Sequence, residues 1–128
     1  EALWQHWDGR DGGLPYRIIE YDPAVPGKEE KPAAADVVTC TDVLEHVEPE
    51  CIDAVLDDIR AIARLAVFLV VSTVPAMKHL SDGRNAHLIV KPWAWWRPLL
   101  DARWQVAAFA EHSKAFVYIG KPLVAIPV

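Results

Sequence analysis

Between Ile52 and Ala66 the apolar residues recur at helical spacing. Ile52, Val55, Leu56, Ile59, Ile62, Ala63 and Ala66 form one stripe. Asp53, Asp57, Asp58, Arg60 and Arg64 fall on the opposite face, where water solvates them, so an amphipathic helix is predicted. Pro49 suits a first helical position, and Glu48 and Glu50 suit the positive end of the helix dipole. The segments on either side, Asp36 to Thr41 and Val67 to Thr73, are nearly continuous apolar runs. Such runs are expected of strands covered on both faces of a parallel sheet. Strand, helix and strand with short links make a crossover unit with parallel strands.

Weaker patterns fill the remainder. Ala2 to Trp7 reads as the end of a helix, broken by the glycines between Gly9 and Gly13. Tyr16 to Tyr21 is β-branched and aromatic enough for a short strand, stopped by Asp22-Pro23. Ala24 to Ala35 reads as an exposed loop. Pro92 can open a helix carrying Trp93, Trp96 and Leu100 on one side. Trp104 to Ala110 and Ala115 to Ile119 are joined by Glu111 to Lys114, a link short enough for an antiparallel hairpin, and Leu123 to Val128 would extend its second strand. The predicted fold class is α/β: a Rossmann-like, mostly parallel sheet with helices on its faces and a C-terminal antiparallel hairpin.

Composition narrows the function classes. The 128 residues suit one domain, and 52% apolar residues suit a real core. A net charge of −5 argues against a general nucleic-acid or membrane-surface binder. The longest apolar run, Leu65 to Val71, is seven residues, against roughly 20 for a membrane span. Cys40 and Cys51 are too few for a disulfide scaffold, and no signal peptide is visible, so a reduced cytoplasmic setting is expected. The chain starts at Glu1 and its sole methionine is Met77, so an N-terminally truncated single domain is expected.

Ligands of open α/β sheets bind beyond the carboxyl ends of the strands. That rule selects Asp22, the pair Thr41-Asp42, and Thr73 with the loop after it. A carboxylate such as Asp22 at a strand tip can accept two hydroxyl hydrogen bonds from a ribose; Asp22-Pro23 is equally a plain turn start.

The run from Asp36 through Thr41-Asp42-Val-Leu-Glu-His-Val47 resembles the fourth strand and following bend of class I S-adenosylmethionine-dependent methyltransferases. Ser81-Asp-Gly-Arg-Asn-Ala-His-Leu-Ile89 with Pro92 and Trp95-Trp96, and Glu20-Tyr-Asp-Pro-Ala-Val-Pro26, are similar to segments of a bacterial and phage methyltransferase-like subgroup. The similarity spans Tyr16 to Leu100.

The resemblance implies S-adenosylmethionine as cofactor and an unidentified methyl acceptor. It implies that Asp22, with Pro23, holds the ribose, and that Thr41 and Asp42 line the pocket near the methionine end. Glu45 and His46 would brace the bend or face substrate. Asp82, Arg84 and Asn85 would recognise the acceptor, and His87, with His46, would serve catalysis by removing a proton. Arg84 pairing with a nearby carboxylate, His46 capping a turn and a structural His87 are the plainer alternatives. Asp42, Glu45, His46 and His87 are metal-ligand types, but no HExxH or CxxC spacing supports a metal centre, and none is assigned.

The family's first strand and glycine-rich loop have no counterpart ahead of Asp22, since Gly9, Gly12 and Gly13 are wrongly spaced. A missing central strand would leave an empty lane in the sheet, to be filled by sequence upstream of Glu1, by closure of the neighbouring strands, or by a partner chain. The rival expectation is a non-catalytic interaction or structural module that keeps the scaffold after losing the cofactor loop.

Overall fold

The computed structural model describes residues 17–123. The chain divides into two units, Glu1–Ala33 and Ala34–Val128, and each is described by itself. The expected helix end at Ala2 to Trp7, the glycines Gly9 to Gly13 and the extension beyond Leu123 lie outside the described residues.

In the first unit, residues 17–22 form no strand, contrary to expectation. β-Branched and aromatic residues favour a strand only where a neighbour supplies pairing and cover. Here Ile19 and Tyr21 stand exposed. The segment that follows is a compact turn. The Asp22 N–H donates to the Lys28 carbonyl at 2.8 Å, and Lys28 N–H to the Val25 carbonyl at 3.0 Å. Gly27 supplies the left-handed backbone, φ +88°, that the turn demands.

The second unit is a four-stranded mixed sheet with two helices. Strand β1 spans Ala35–Thr41, helix α1 Ile52–Ile62, strand β2 Ala63–Ser72, helix α2 Trp93–Asp101, strand β3 Trp104–Glu111 and strand β4 Ala115–Pro122. The order is β1-β2-β4-β3. The β1–β2 pair is parallel, while β2–β4 and β3–β4 are antiparallel. The expectation of a mostly parallel sheet is therefore corrected. The crossover unit and the hairpin are both present, but β4 docks on β2, so the hairpin joins the sheet rather than trailing from it.

Helix α1 is shorter than its apolar stripe. It ends at Ile62, and Ala63, in extended conformation, starts β2 without any linker. Ala63 and Ala66 continue the helical period, but pairing of Ala63 with Ala35 and Ala66 with Val37 wins, because a ladder satisfies the backbone where the helix would have to end. Arg64 forms an ion pair with Asp36 across that junction.

One face of the sheet carries the core. Val67, Leu69 and Val71 of β2 stand opposite Gly120, Tyr118 and Phe116 of β4. Leu56 and Ile59 of α1 and Trp96 and Leu100 of α2 join them in a single buried cluster. Both helices send their buried residues into that one cluster. Glycine is needed at position 120. A Cβ there would sit 2.8 Å from Trp104 Cβ and 2.8 Å from the Tyr118 ring, so its absence lets Trp104 lie against β4. Arg103, just before β3, donates to Asp57 at 2.8 Å and Asp53 at 3.0 Å on α1, tying the helix to the far side of the unit. Among the described residues no helix is long and apolar enough to cross a membrane.

Candidate functional site at the carboxyl ends of the parallel pair

At the end of β1 the chain makes a sharp bend. Asp42 has φ +58° while its N–H still donates to the Val70 carbonyl of β2 at 3.0 Å. Aspartate is among the few side chains that tolerate this left-handed conformation. Thr41 and Asp42 are exposed, and the Asp42 carboxylate makes no hydrogen bond or ion pair among the described residues. One turn of 3₁₀ helix, Leu44–His46, follows and sorts its side chains by direction. Leu44 and Glu45 are driven into the interior, and His46 is left at the surface.

Among the described residues Glu45 is the one buried charged side chain, with 0% exposure. Its Oε1 accepts a long bond of 3.4 Å from the Ser72 N–H, and its Oε2 has no partner. Burial raises its pKa above the ordinary carboxylate value, with nearby Asp42 adding to the effect.

The loop after β2 completes the corner. Asn85 binds it into shape: its Oδ1 accepts from the N–H groups of Ala76 and His87, both at 2.9 Å, and its Nδ2 donates to the Ala76 carbonyl at 2.9 Å. His87 Nδ1 lies 2.6 Å from the Val74 carbonyl, and His46 Nδ1 lies 2.9 Å from the Ala86 carbonyl. A carbonyl oxygen only accepts, so both Nδ1 atoms carry a proton, and Nε2 is the nitrogen left on each ring for another partner. The two rings meet edge to face, centroids 4.8 Å apart and planes at 85°.

Arg84 grips both Glu48 oxygens at 2.9 Å and Asp82 at 2.8 Å, anchoring this loop to the segment before α1. The Arg84 side chain holds the Glu48 carboxyl below its usual range; its N–H and then its side chain do the same to Asp82. Arg84 paired with carboxylates is the plainer of the two readings of that residue. An open groove of about 560 Å³ runs here, with Glu48, Arg84, Asn85 and His87 among its lining.

The structure thus brings Thr41, Asp42, His46, Asp82, Arg84, Asn85 and His87 into the same unit, with His46 and His87 in direct contact. Asp22 and Pro23 belong to the other unit. There Asp22 Oδ1 accepts from the Ala24 N–H at 2.9 Å, the usual aspartate turn geometry. Sequence reasoning undervalued two residues: Glu45, whose burial no spacing revealed, and Glu48, the Arg84 partner. It assigned no metal centre to Asp42, Glu45, His46 and His87, for want of a spacing motif, although one ligand atom each of Glu45, His46 and His87 lie within 4.8 Å of one another.

These features define an α/β domain with a mixed sheet and a polar corner at the carboxyl ends of its parallel pair. No protein-family description matches the chain, and no curated protein does. Among solved structures it is similar to the PH0226 protein from Pyrococcus horikoshii OT3, with TM-score 0.54 and 11% identity over 73% of this chain and 54% of that one. It is also similar to DhpI in its SAH complex (TM-score 0.49, 24% identity, 68% of this chain and 47% of that one). A third similarity is to the N-terminal domain of EvdMO1 with SAH bound (TM-score 0.43, 17% identity, 71% of this chain and 48% of that one). The chain spans about half the length of each, at 54%, 47% and 48%. The PH0226 likeness shows a common fold and nothing of activity.

Proposed function

We propose that this chain serves S-adenosylmethionine-dependent methyl transfer to an acceptor whose identity is open. The observation that carries the reading is the Thr41–Asp42 bend: a carboxylate at a parallel-strand tip with no partner among the described residues, in one unit with two imidazoles whose Nδ1 atoms are held by backbone carbonyls. Thr41 and Asp42, both exposed, would hold the cofactor toward its methionine end. Asp22, with Pro23, would take the ribose on the resemblance alone; its Oδ1 accepts the Ala24 N–H. Among the described residues no glycine-rich turn joins a strand to a helix, so the amino-acid end is left out of the assignment. When bound, the cofactor supplies a methyl group already activated by its sulfonium.

What remains for the protein is alignment and one proton. His87 is the base in this reading, with Nδ1–H fixed on Val74 and Nε2 free to accept the acceptor proton. His46 supports it edge-on. Asp82, Arg84 and Asn85 frame the acceptor side, and Asn85 positions His87 through its N–H.

Calorimetric titration of the 128-residue chain with S-adenosylhomocysteine tests the proposal. Binding at about micromolar Kd, weakened at least tenfold by Asp42→Ala, is expected. Silence would leave the non-catalytic module as the better account.

A further inference from the structure

The corner also holds a second kind of chemistry, one that stands whether or not a methyl group is transferred. Glu45 is wholly buried, one of its oxygens has no hydrogen-bond partner among the described residues, and two imidazoles lie beside its side chain. Native proteins rarely leave a buried carboxylate oxygen bare without some use for it, since burial forfeits its hydration. Both histidines donate Nδ1–H to backbone carbonyls, at 2.9 Å for His46 and 2.6 Å for His87. That is the arrangement that fixes a ring and raises the basicity of its other nitrogen for a metal. The geometry points to a divalent transition-metal site formed by Glu45, His46 and His87.

The donor set decides the class of ion. Two imidazole nitrogens and one carboxylate oxygen suit Zn²⁺ and its first-row neighbours, whereas Ca²⁺ and Mg²⁺ ask for oxygens throughout. Three protein donors are the number that leaves a position open for water or an oxygen-bearing ligand. Donors held about 2.1 Å from a tetrahedral ion lie roughly 3.4 Å apart. The present atoms all lie within 4.8 Å, so closing on an ion draws the widest pair together by no more than about 1.4 Å. His46 is exposed, which gives the ion its way in. The bend at Asp42 and the Asn85 clasp hold the two contributing segments from opposite sides.

Such an ion would take the same Nε2 lone pairs that proton removal uses, so the two readings make different demands on His46 and His87. The test needs no cofactor. The chain, stripped with a chelator, is titrated with Zn²⁺ by calorimetry and with Co²⁺ by visible absorption. One ion per chain at about micromolar Kd or tighter is expected, with the d–d bands of mixed nitrogen and oxygen coordination. His87→Ala and Glu45→Gln should each weaken Zn²⁺ at least tenfold, while His112→Ala, on the β3–β4 link, should leave it unchanged. Absence of binding by the unmodified chain overturns the site, as does binding that His112→Ala weakens as much as His87→Ala. The Co²⁺ spectrum of the unmodified chain decides the matter even if a variant fails to fold.

Discussion

The aromatic floor beneath α2 and the polar corner beyond β1 both bury a polar atom without a partner, yet they do so on different terms. In the floor, Trp96 and Trp104 are 0% and 1% exposed, and both indole Nε1 atoms are unpartnered. Each orphan N–H costs about 1–3 kcal/mol, but each indole brings a large apolar surface into contact with Phe116, Tyr118 and Leu100. Packing outweighs the orphan there. In the corner, Glu45 has a charged group and a short stem, and it gains little from burial. An uncompensated cost placed among catalytic residue types is what a binding site looks like before its ligand arrives.

The comparison breaks most visibly if the floor is disturbed. Trp96→Ala should destabilise the chain by about 3–5 kcal/mol in denaturant unfolding. A loss below about 1 kcal/mol would mean that the indole is not the packing centre that its burial implies. Glu45→Gln should act in the opposite direction. With a chelator present at neutral pH, it should raise stability by about 1–3 kcal/mol, the order expected for replacing a buried, incompletely hydrogen-bonded carboxylate by a group that cannot ionise. The pH dependence has a fixed sign. Because the folded state raises the Glu45 pKa, its favourable contribution is complete below the ordinary value of 4.5 and is lost as pH rises through the higher folded value. The wild-type stability should therefore fall relative to Glu45→Gln from about pH 4.5 upward. A constant difference across that range would remove Glu45 as the source.

The smallest effect is a silence. Cys40 lies in β1 next to the corner, and burial, followed by the Glu45 charge, pushes its thiol up to about 12. Cys51 is exposed at the start of α1. A thiol reagent at mildly alkaline pH should titrate one cysteine, and Cys51→Ser should abolish the reaction. Labelling of Cys40 at a comparable rate would show that the corner opens to solvent.

Local elements were legible in the sequence where period and punctuation agreed. The stripe from Ile52 announced α1, Pro92 opened α2, and the four residues Glu111 to Lys114 marked the hairpin. What failed depended on partners remote in sequence. The stretch Tyr16 to Tyr21 has strand propensity, yet residues 17–21 pair with no strand among the described residues, and the apolar period through Ala66 yielded to the ladder with β1. Sheet order could not be read, because nothing local says that β4 rather than another strand docks on β2. The candidate site shows the same divide. Asp42 was found from its position at a strand tip. The meeting of His46 with His87 joins two segments through Asn85 and Arg84, and no spacing rule encodes that.

The bare Cα at Gly120 has a consequence for how the sheet assembles. Val67 and Val106 flank it on the neighbouring strands, and Trp104 fills the space that a side chain would claim. A hairpin zipped one step out of phase would bring Ile119 or Lys121 under the indole, and either would collide where glycine does not. The residue that contributes least substance to the sheet therefore acts as its key, admitting a single alignment of β3 on β4 and rejecting the nearest mistakes while the chain is still folding.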